Sequence, residues 1–233
     1  MPLDATEVLA RAAAYLPVAS TDDFLLVCLN ITGEDIIDRI DPPQPISKTH
    51  TITATGVETY SLPADFVRFQ RDDFAVFEES GHERPLTAVS TDGEWQALKA
   101  AGSTGAQRFY RLTGVPGAYE INIFSEPAST DTINVNYVSK YWFTNRVGAD
   151  QAEDGDDLES NGEVRLPRRI LEVGTIWRWK EDKGYDFQPQ YQEYEALMAR
   201  LDNDGRLHRN IGFGGRTTRS FADVPVPDFI PSA

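Results

Sequence analysis

The stretch Glu163–Leu201, EVRLPRRILEVGTIWRWKEDKGYDFQPQYQEYEALMARL, constrains the fold most, because it carries two helical periods broken once. Ile170, Val173, Gly174 and Trp177 recur at the spacing that lines one face of a helix. Pro167 falls in the first turn, where the N–H it lacks would have no helical partner. Tyr191, Tyr194, Leu197, Met198 and Leu201 repeat the stripe in the second helix, near whose start Pro189 lies. Between them, Lys183-Gly184-Tyr185-Asp186 reverses the chain. The basic last turn suits the negative end of the helix dipole, and Gly184 suits a left-handed cap. The stretch predicts an antiparallel helix pair.

Such a pair cannot bury both its faces, so it needs further helices, and the chain's beginning supplies them. Asp4 and Glu7 resemble a capping box, and Val8, Leu9, Ala12, Ala13 and Leu16 form an amphipathic helix that Pro17 ends. A second helix starts at the Thr21-Asp22-Asp23 cap with the stripe Leu25, Leu29, Ile36 and Ile40, and Gly33 is its weak point. The run Phe24–Leu29 reads equally as a buried strand. Asp41-Pro42-Pro43-Gln44-Pro45 forms a stiff connector. The bundle core is expected from Leu25, Leu29, Ile36, Ile170, Val173, Trp177, Tyr194, Leu197 and Leu201.

From about Thr49 the period becomes alternating. Thr51–Ala54 and Val57–Leu62, across a Thr55-Gly56 turn, predict a hairpin. Further strands are expected at Val67–Gln70, Phe74–Glu78, Leu86–Val89, Arg108–Leu112, Tyr119–Phe124 and Thr132–Val138, with a short helix at Trp95–Ala100. In the last strand Ile133, Val135 and Tyr137 are assigned to one face and Asn134, Asn136 and Ser139 to the other, which reads as a strand dry on one side only. Short strands separated by glycine and proline turns suggest a β-sandwich or barrel.

Gly148–Gly162 is dominated by Asp and Glu and holds almost nothing apolar, so it reads as a flexible loop. Beyond Asp204 periodicity stops. Gly212, Gly214, Gly215, Pro225, Pro227 and Pro231 are interspersed with Ile211, Phe213, Phe221, Phe229 and Ile230, a pattern of apolar anchors on a segment that orders on a partner. The fold class is therefore α+β, a helical bundle of N- and C-terminal helices with an inserted antiparallel β-sandwich or barrel-like domain and an extended C-terminal arm. The expected divisions are 1–46 for the first helices, 47–146 for the β domain, 147–162 for the acidic loop, 163–205 for the helical hairpin and 206–233 for the arm.

Charge narrows the function classes. Lys and Arg are outnumbered 22 to 37, a net charge of −15, and wrapping DNA needs the opposite balance. No apolar run approaches the ~18 residues of a membrane span. The first residues lack a basic-then-apolar signal pattern, so no secretory leader is expected. The single Cys28 excludes an internal disulfide and fits assembly in a reducing cytoplasm.

No catalytic constellation emerges. His50, His82 and His208 lie far apart without ligand-spaced partners, and read as exposed surface. Phosphate-cradling and nucleophile-elbow motifs are absent, and Gly212–Arg216 lacks the spacing of a dinucleotide loop. Asp154-Gly-Asp156-Asp157 misplaces the glycine and distal glutamate of a calcium loop. Asp65, Asp72, Asp73, Glu120 and Glu126 offer carboxylates, but their spacing selects no pair. Neither cofactor nor metal is expected.

Three segments together resemble the head-to-tail connector, or portal adaptor, proteins of tailed bacteriophages. They are Tyr60-Ser-Leu-Pro-Ala-Asp-Phe-Val-Arg68, the passage Tyr119–Pro127 leading to Ile133–Tyr141, and the hairpin Leu166–Leu201 with its Trp-Arg-Trp-Lys-Glu-Asp-Lys-Gly turn. The resemblance covers most of residues 1–205 and implies a non-enzymatic structural protein of the virion, assembled in the host cytoplasm and placed at the head–tail interface. It implies a homo-dodecameric ring beneath the portal that extends the DNA channel. Double-stranded DNA would pass without sequence-specific binding, and tail, nozzle, tail-tube or tail-fibre proteins would dock below. The arm would climb onto the portal protein through Ile211, Phe213, Arg216, Arg219, Phe221, Phe229 and Ile230. The alternative is a carbohydrate-binding β-sandwich module of a phage or bacterial surface protein, carried by Trp95, Tyr110 and Trp142 if these are exposed. A hydrolase using Glu120, Glu126 and Asp65 is the third reading.

Overall fold

The structure, a computed structural model, describes residues 3–42, 46–71, 75–79, 84–102, 107–144, 158–159 and 162–209. The chain begins with β1 (Leu3–Asp4), α1 (Ala5–Ala13) and α2 (Asp23–Arg39). It continues through β2 (Ser47–Thr53), β3 (Thr59–Ser61), β4 (Phe66–Phe69), β5 (Val76–Glu78), β6 (Arg84–Pro85) and β7 (Thr87–Ala88). After α3 (Asp92–Ala101) come β8 (Phe109–Val115), β9 (Ala118–Phe124), β10 (Thr132–Ser139), β11 (Phe143–Thr144) and β12 (Glu163–Val164). α4 (Arg168–Asp182) and α5 (Gln188–Arg209) close it. The architecture is mixed α+β, with five helices and several antiparallel sheets among the described residues.

α4 is the centre of the helical half, in contact with α1, α2 and α5. A single apolar stripe was the expectation, yet every residue from Ile170 to Ile176 is buried, and so is Trp179. Helices cover α4 on several sides, so burial is nearly circumferential. Trp177, assigned to the buried stripe, is half-buried and packs against Phe187, Tyr191 and Tyr194 of the α5 side. Two glycines permit the close approach. A Cβ on Gly174 would lie 2.3 Å from Thr32 of α2 and 2.9 Å from Tyr194 of α5. A Cβ on Gly33 would lie 2.1 Å from the Trp142 ring. Gly33, a weak point by helix propensity alone, is thus where α2 admits an indole.

Local signals set the helix ends. Asp4 and Asp22 cap α1 and α2, accepting from the N–H groups of Thr6 and Phe24 at 3.0 and 2.8 Å. Glu7 is ion-paired with Arg168 at 3.0 Å and Arg11 at 3.3 Å, so it ties α1 to α4 rather than serving only its own helix's first turn. α1 stops at Ala13, and Leu16 packs on the core from the turn beyond it. The segment Phe24–Leu29 is helical, which removes the strand reading. Gly184 ends the α4 turn at φ 72°, where a left-handed cap is expected.

The expected hairpin Thr51–Ala54/Val57–Leu62 does not form. β2 pairs with β10 from Thr132↔Thr53 to Val138↔Ser47, whereas β3 pairs with β9 in a different sheet. The long register with β10 satisfies β2's backbone, and the intervening loop carries the chain across to the second sheet. One sheet runs β2-β10-β5-β6 with β4 also on β10, and the other runs β3-β9-β8-β7. Their inward residues meet in a common core that includes Ile52, Phe66, Val76, Tyr110, Ile121, Ile123, Ile133 and Val135.

β10 is not wet on its second face. Asn134 is buried and bonded to Thr51 at 2.8 Å and Glu79 at 3.0 Å, and Val138 belongs to the helical core. Ser139 sides with Tyr137 rather than with the asparagines, since both hydroxyls donate to Asp65. β10 therefore contributes side chains to both cores. A third, small sheet β1-β12-β11 was not foreseen, because two-residue strands leave no periodic trace.

Overpacking gives a direct check. Gly33→Ala and Gly174→Ala should each lower stability by about 1–3 kcal/mol or more, read as a reduced denaturant midpoint with unchanged slope. A neutral result at both positions would mean that α2, α4 and Trp142 are not in close contact.

Candidate functional site

The described residues present a junction between the helical and β halves rather than a reactive centre. An α-helix ends with carbonyls that lack intrahelical partners and carry the negative end of its dipole. At the end of α2 these carbonyls are met by two arginines from β4 and the residues just beyond it. Arg68 donates to Ile37 O from Nε at 3.2 Å and from Nη2 at 2.9 Å, to Phe69 O at 3.1 Å, and also to Ile40 O. Arg71 donates to Arg39 O at 2.7 Å and Asp38 O at 3.1 Å. Asp41, whose side chain is 4% exposed, accepts from Arg68 Nη1 at 2.6 Å and from the Arg71 N–H at 2.8 Å. Burying such a pair is costly by itself, and the added carbonyl bonds make this geometry tenable.

Three residues earlier in the same segment, Asp65 fixes the other side of the junction. It accepts from Ser139 at 2.7 Å, Lys48 at 2.9 Å and Tyr137 at 3.0 Å. Burial alone would raise its pKa, but these donors hold its carboxyl below the ordinary value. Nearby on β2, burial lowers the His50 pKa against the opposing charge of Asp65. The Tyr60–Arg68 segment thus supplies Asp65 to β10 and Arg68 to α2, with Phe66 in the β core and Val67 against the helical core.

A second polar cluster joins α2, α4 and α5. Asp35 accepts from Tyr194 Oη at 2.7 Å and Arg178 Nη2 at 2.9 Å, while Arg39 forks onto Glu195 at 2.7 and 2.6 Å. Arg178 lies 4.4 Å from the Trp177 ring centroid and 5.2 Å from that of Tyr194. Burial, then the bond to Asp35, pushes the Tyr194 hydroxyl up, and the Arg39 bonds pull Glu195 below the usual carboxylate range. Burial pushes the Cys28 thiol up to about 11, with Asp182 adding to it, so it stays protonated at neutral pH.

The acidic segment was expected to be a free loop, but it is anchored within its span. Leu158 is 1% exposed in the helical core. Its N–H donates to Asn30 Oδ1 at 2.8 Å, and its carbonyl accepts from Asn30 Nδ2 at 3.2 Å. The one large apolar residue among the acids carried the signal, and composition averaged over the stretch concealed it.

Of the expected bundle residues, Leu25, Leu29, Ile36, Ile170, Val173 and Tyr194 are buried, whereas Trp177, Leu197 and Leu201 are half-buried against them. The arm residues Ile211, Phe213, Arg216, Arg219, Phe221, Phe229 and Ile230 lie outside the described residues, as do Asp72, Asp73, His82 and the Asp154–Asp157 motif. The sugar-platform aromatics are not exposed: Trp95, Tyr110 and Trp142 are 0%, 7% and 1% exposed. Trp95 stacks beneath Arg111, and Trp142 fills the space at Gly33, so none presents a face to a glycan. Asp65 is committed to the junction, and Glu120 and Glu126 are exposed. Among the described residues no His, Cys, Asp and Glu cluster could hold a metal ion, and no helix is long and apolar enough to cross a membrane.

A comparison with known families matches residues 3–219 to the model described as SU10 adaptor protein. A comparison with curated proteins gives no match. The family match runs through both halves and the junction between them.

Two outcomes test the junction. Arg68→Met should destabilise the chain by about 3–5 kcal/mol, since it removes the guanidinium that pairs with the buried Asp41 carboxylate. Adding Asp41→Asn should recover part of that loss, and strictly additive effects in the cycle would deny the coupling. A depressed carboxylate stabilises fully above its unfolded pKa, near 3.8 for Asp65, and that stability is lost as pH falls through the lower folded value. Wild-type stability should therefore drop on acidification below about pH 4, and Asp65→Asn should flatten that limb. An unchanged acid limb in Asp65→Asn would show that the carboxylate is not held this way.

Proposed function

Because the chain belongs to the SU10 adaptor protein family, a family of phage head–tail adaptors, we propose that it is a structural ring component beneath the portal of a tailed phage. In this reading it works through surfaces and not as an enzyme. The match over residues 3–219 is the observation that carries the reading, because it takes in helices, sheets and junction together. The helical half is read as a bundle that contacts the portal, and the two larger sheets as a sandwich-like platform for tail proteins. Closed rings of identical subunits use head-to-tail contacts, each burying more than ~1,000 Å² if specific. Twelve copies would line a channel for double-stranded DNA at the virion's head–tail interface. Each brings a charge of −15. Acid facing the lumen would let DNA pass without adhering, as phosphates find few cations to displace their counterions.

The arm beyond Gly205 is proposed to strap the ring to the portal through Ile211, Phe213, Arg216, Arg219, Phe221, Phe229 and Ile230. Ordering a free arm costs several kcal/mol, which anchored phenylalanines offset. Purified chain mixed with its phage's portal protein should give closed rings seated on the portal in electron micrographs. Truncation after Gly205 should leave the bundle folded, with only the last turn of α5 removed, and weaken portal attachment at least tenfold. Monomers that never associate with portal would contradict the adaptor reading, and equal affinity without the arm would contradict the strap.

A further inference from the structure

The turn before β4 and the tip of the β8–β9 hairpin enclose an open cleft of about 500 Å³. Its walls include Phe66 and Tyr119, whose rings meet edge-on at 5.4 Å, together with Val67 and Pro116, and Lys140 lies at its border. Aromatic and proline walls with one cation are the surroundings that proline-rich extended segments recognise, because such segments are already close to their bound conformation. Within this chain the matching chemistry lies in residues 224–231, Val-Pro-Val-Pro-Asp-Phe-Ile-Pro.

We propose that this cleft holds residues 224–231 of the same chain, stowing the arm on the β half. Pro225, Pro227 and Pro231 fix φ and lower the entropy lost on docking. Phe229 and Ile230 supply apolar side chains for the wall of Tyr119, Val67 and Pro116 above the buried Phe66 ring, and Asp228 supplies the charge that complements Lys140. The tether is long enough. α5 ends at Arg209, and the fourteen residues 210–223 extend to about 50 Å, against a diameter of roughly 45 Å for a compact chain of this size. Tethering also places the segment at an effective concentration near the millimolar range, so a weak individual contact suffices in cis. This goes beyond the adaptor reading. The test below contains no portal, so its failure leaves that reading where it stands.

The test is zero-length carbodiimide cross-linking of dilute full-length protein, with peptide mapping by mass spectrometry. Lys48–Asp65, at 2.9 Å, and Lys99–Glu58, at 2.7 Å, are internal positive controls. The expected result is a Lys140–Asp228 cross-link formed alongside the controls, with its yield falling at least fivefold in Phe229→Ala. In an equal mixture of isotopically heavy and light protein it should join peptides of one isotope only. The proposal is overturned if the controls couple and Lys140–Asp228 does not, or if Phe229→Ala leaves the yield unchanged. Heavy–light hybrids would also overturn it, since they would place a second copy's arm in the cleft.

Discussion

The Arg68 guanidinium at the end of α2 is the contact on which the two halves of this molecule depend. It bonds helix carbonyls that no residue of α2 can satisfy, and it supplies the cation that pairs with the buried Asp41 carboxylate. Arg71 repeats the arrangement on Arg39 and Asp38. From the opposite direction β10 sends Val138 into the helical core while Ile133, Val135 and Tyr137 fill the β core. The junction is thus both polar and apolar. The polar part has strict geometry, because a guanidinium offers a fixed fork of donors. A helical half hinged freely on the β half would have no use for so many directional bonds.

Much of the helical half was legible in the sequence because periodicity and end signals agreed there. Asp22, Gly184 and the stripe through Ile170 and Val173 all pointed to the helices that form. Circumferential burial of α4 was not legible, since a stripe records one neighbour and α4 has three. In the β half most strands lie close to where alternation put them, but pairing did not follow proximity. β2 and β3 adjoin in sequence yet belong to different sheets, and a short hairpin signal cannot weigh a competing seven-residue register with β10. Leu158 was lost to averaging over an acidic stretch. The junction lies in the segment Tyr60–Arg68, but no pattern in one sequence tells which arginine caps a distant helix.

The family match points to a phage structural adaptor, and among the described residues fixed packing contacts are what could serve one. Of the groups that suggested glycan chemistry, Asp65 is held under β10, Trp95 lies beneath Arg111 and Trp142 packs against Gly33, while Glu120 and Glu126 are exposed. For a structural adaptor, a fixed angle between its two halves has mechanical value. The Asp35–Arg178–Tyr194 and Arg39–Glu195 contacts extend the same stiffness across α2, α4 and α5.

Native-state hydrogen exchange on the full chain tests directly whether the halves form one unit, because it reads the opening free energy of each segment separately. Amides of the last turn of α2, Ile36–Ile40, and of β10, Val135–Ser139, should share one opening energy and respond alike to denaturant. If β10 amides instead exchange through an opening of lower energy while α2 keeps its own protection, the halves are independent and the account of the junction is contradicted.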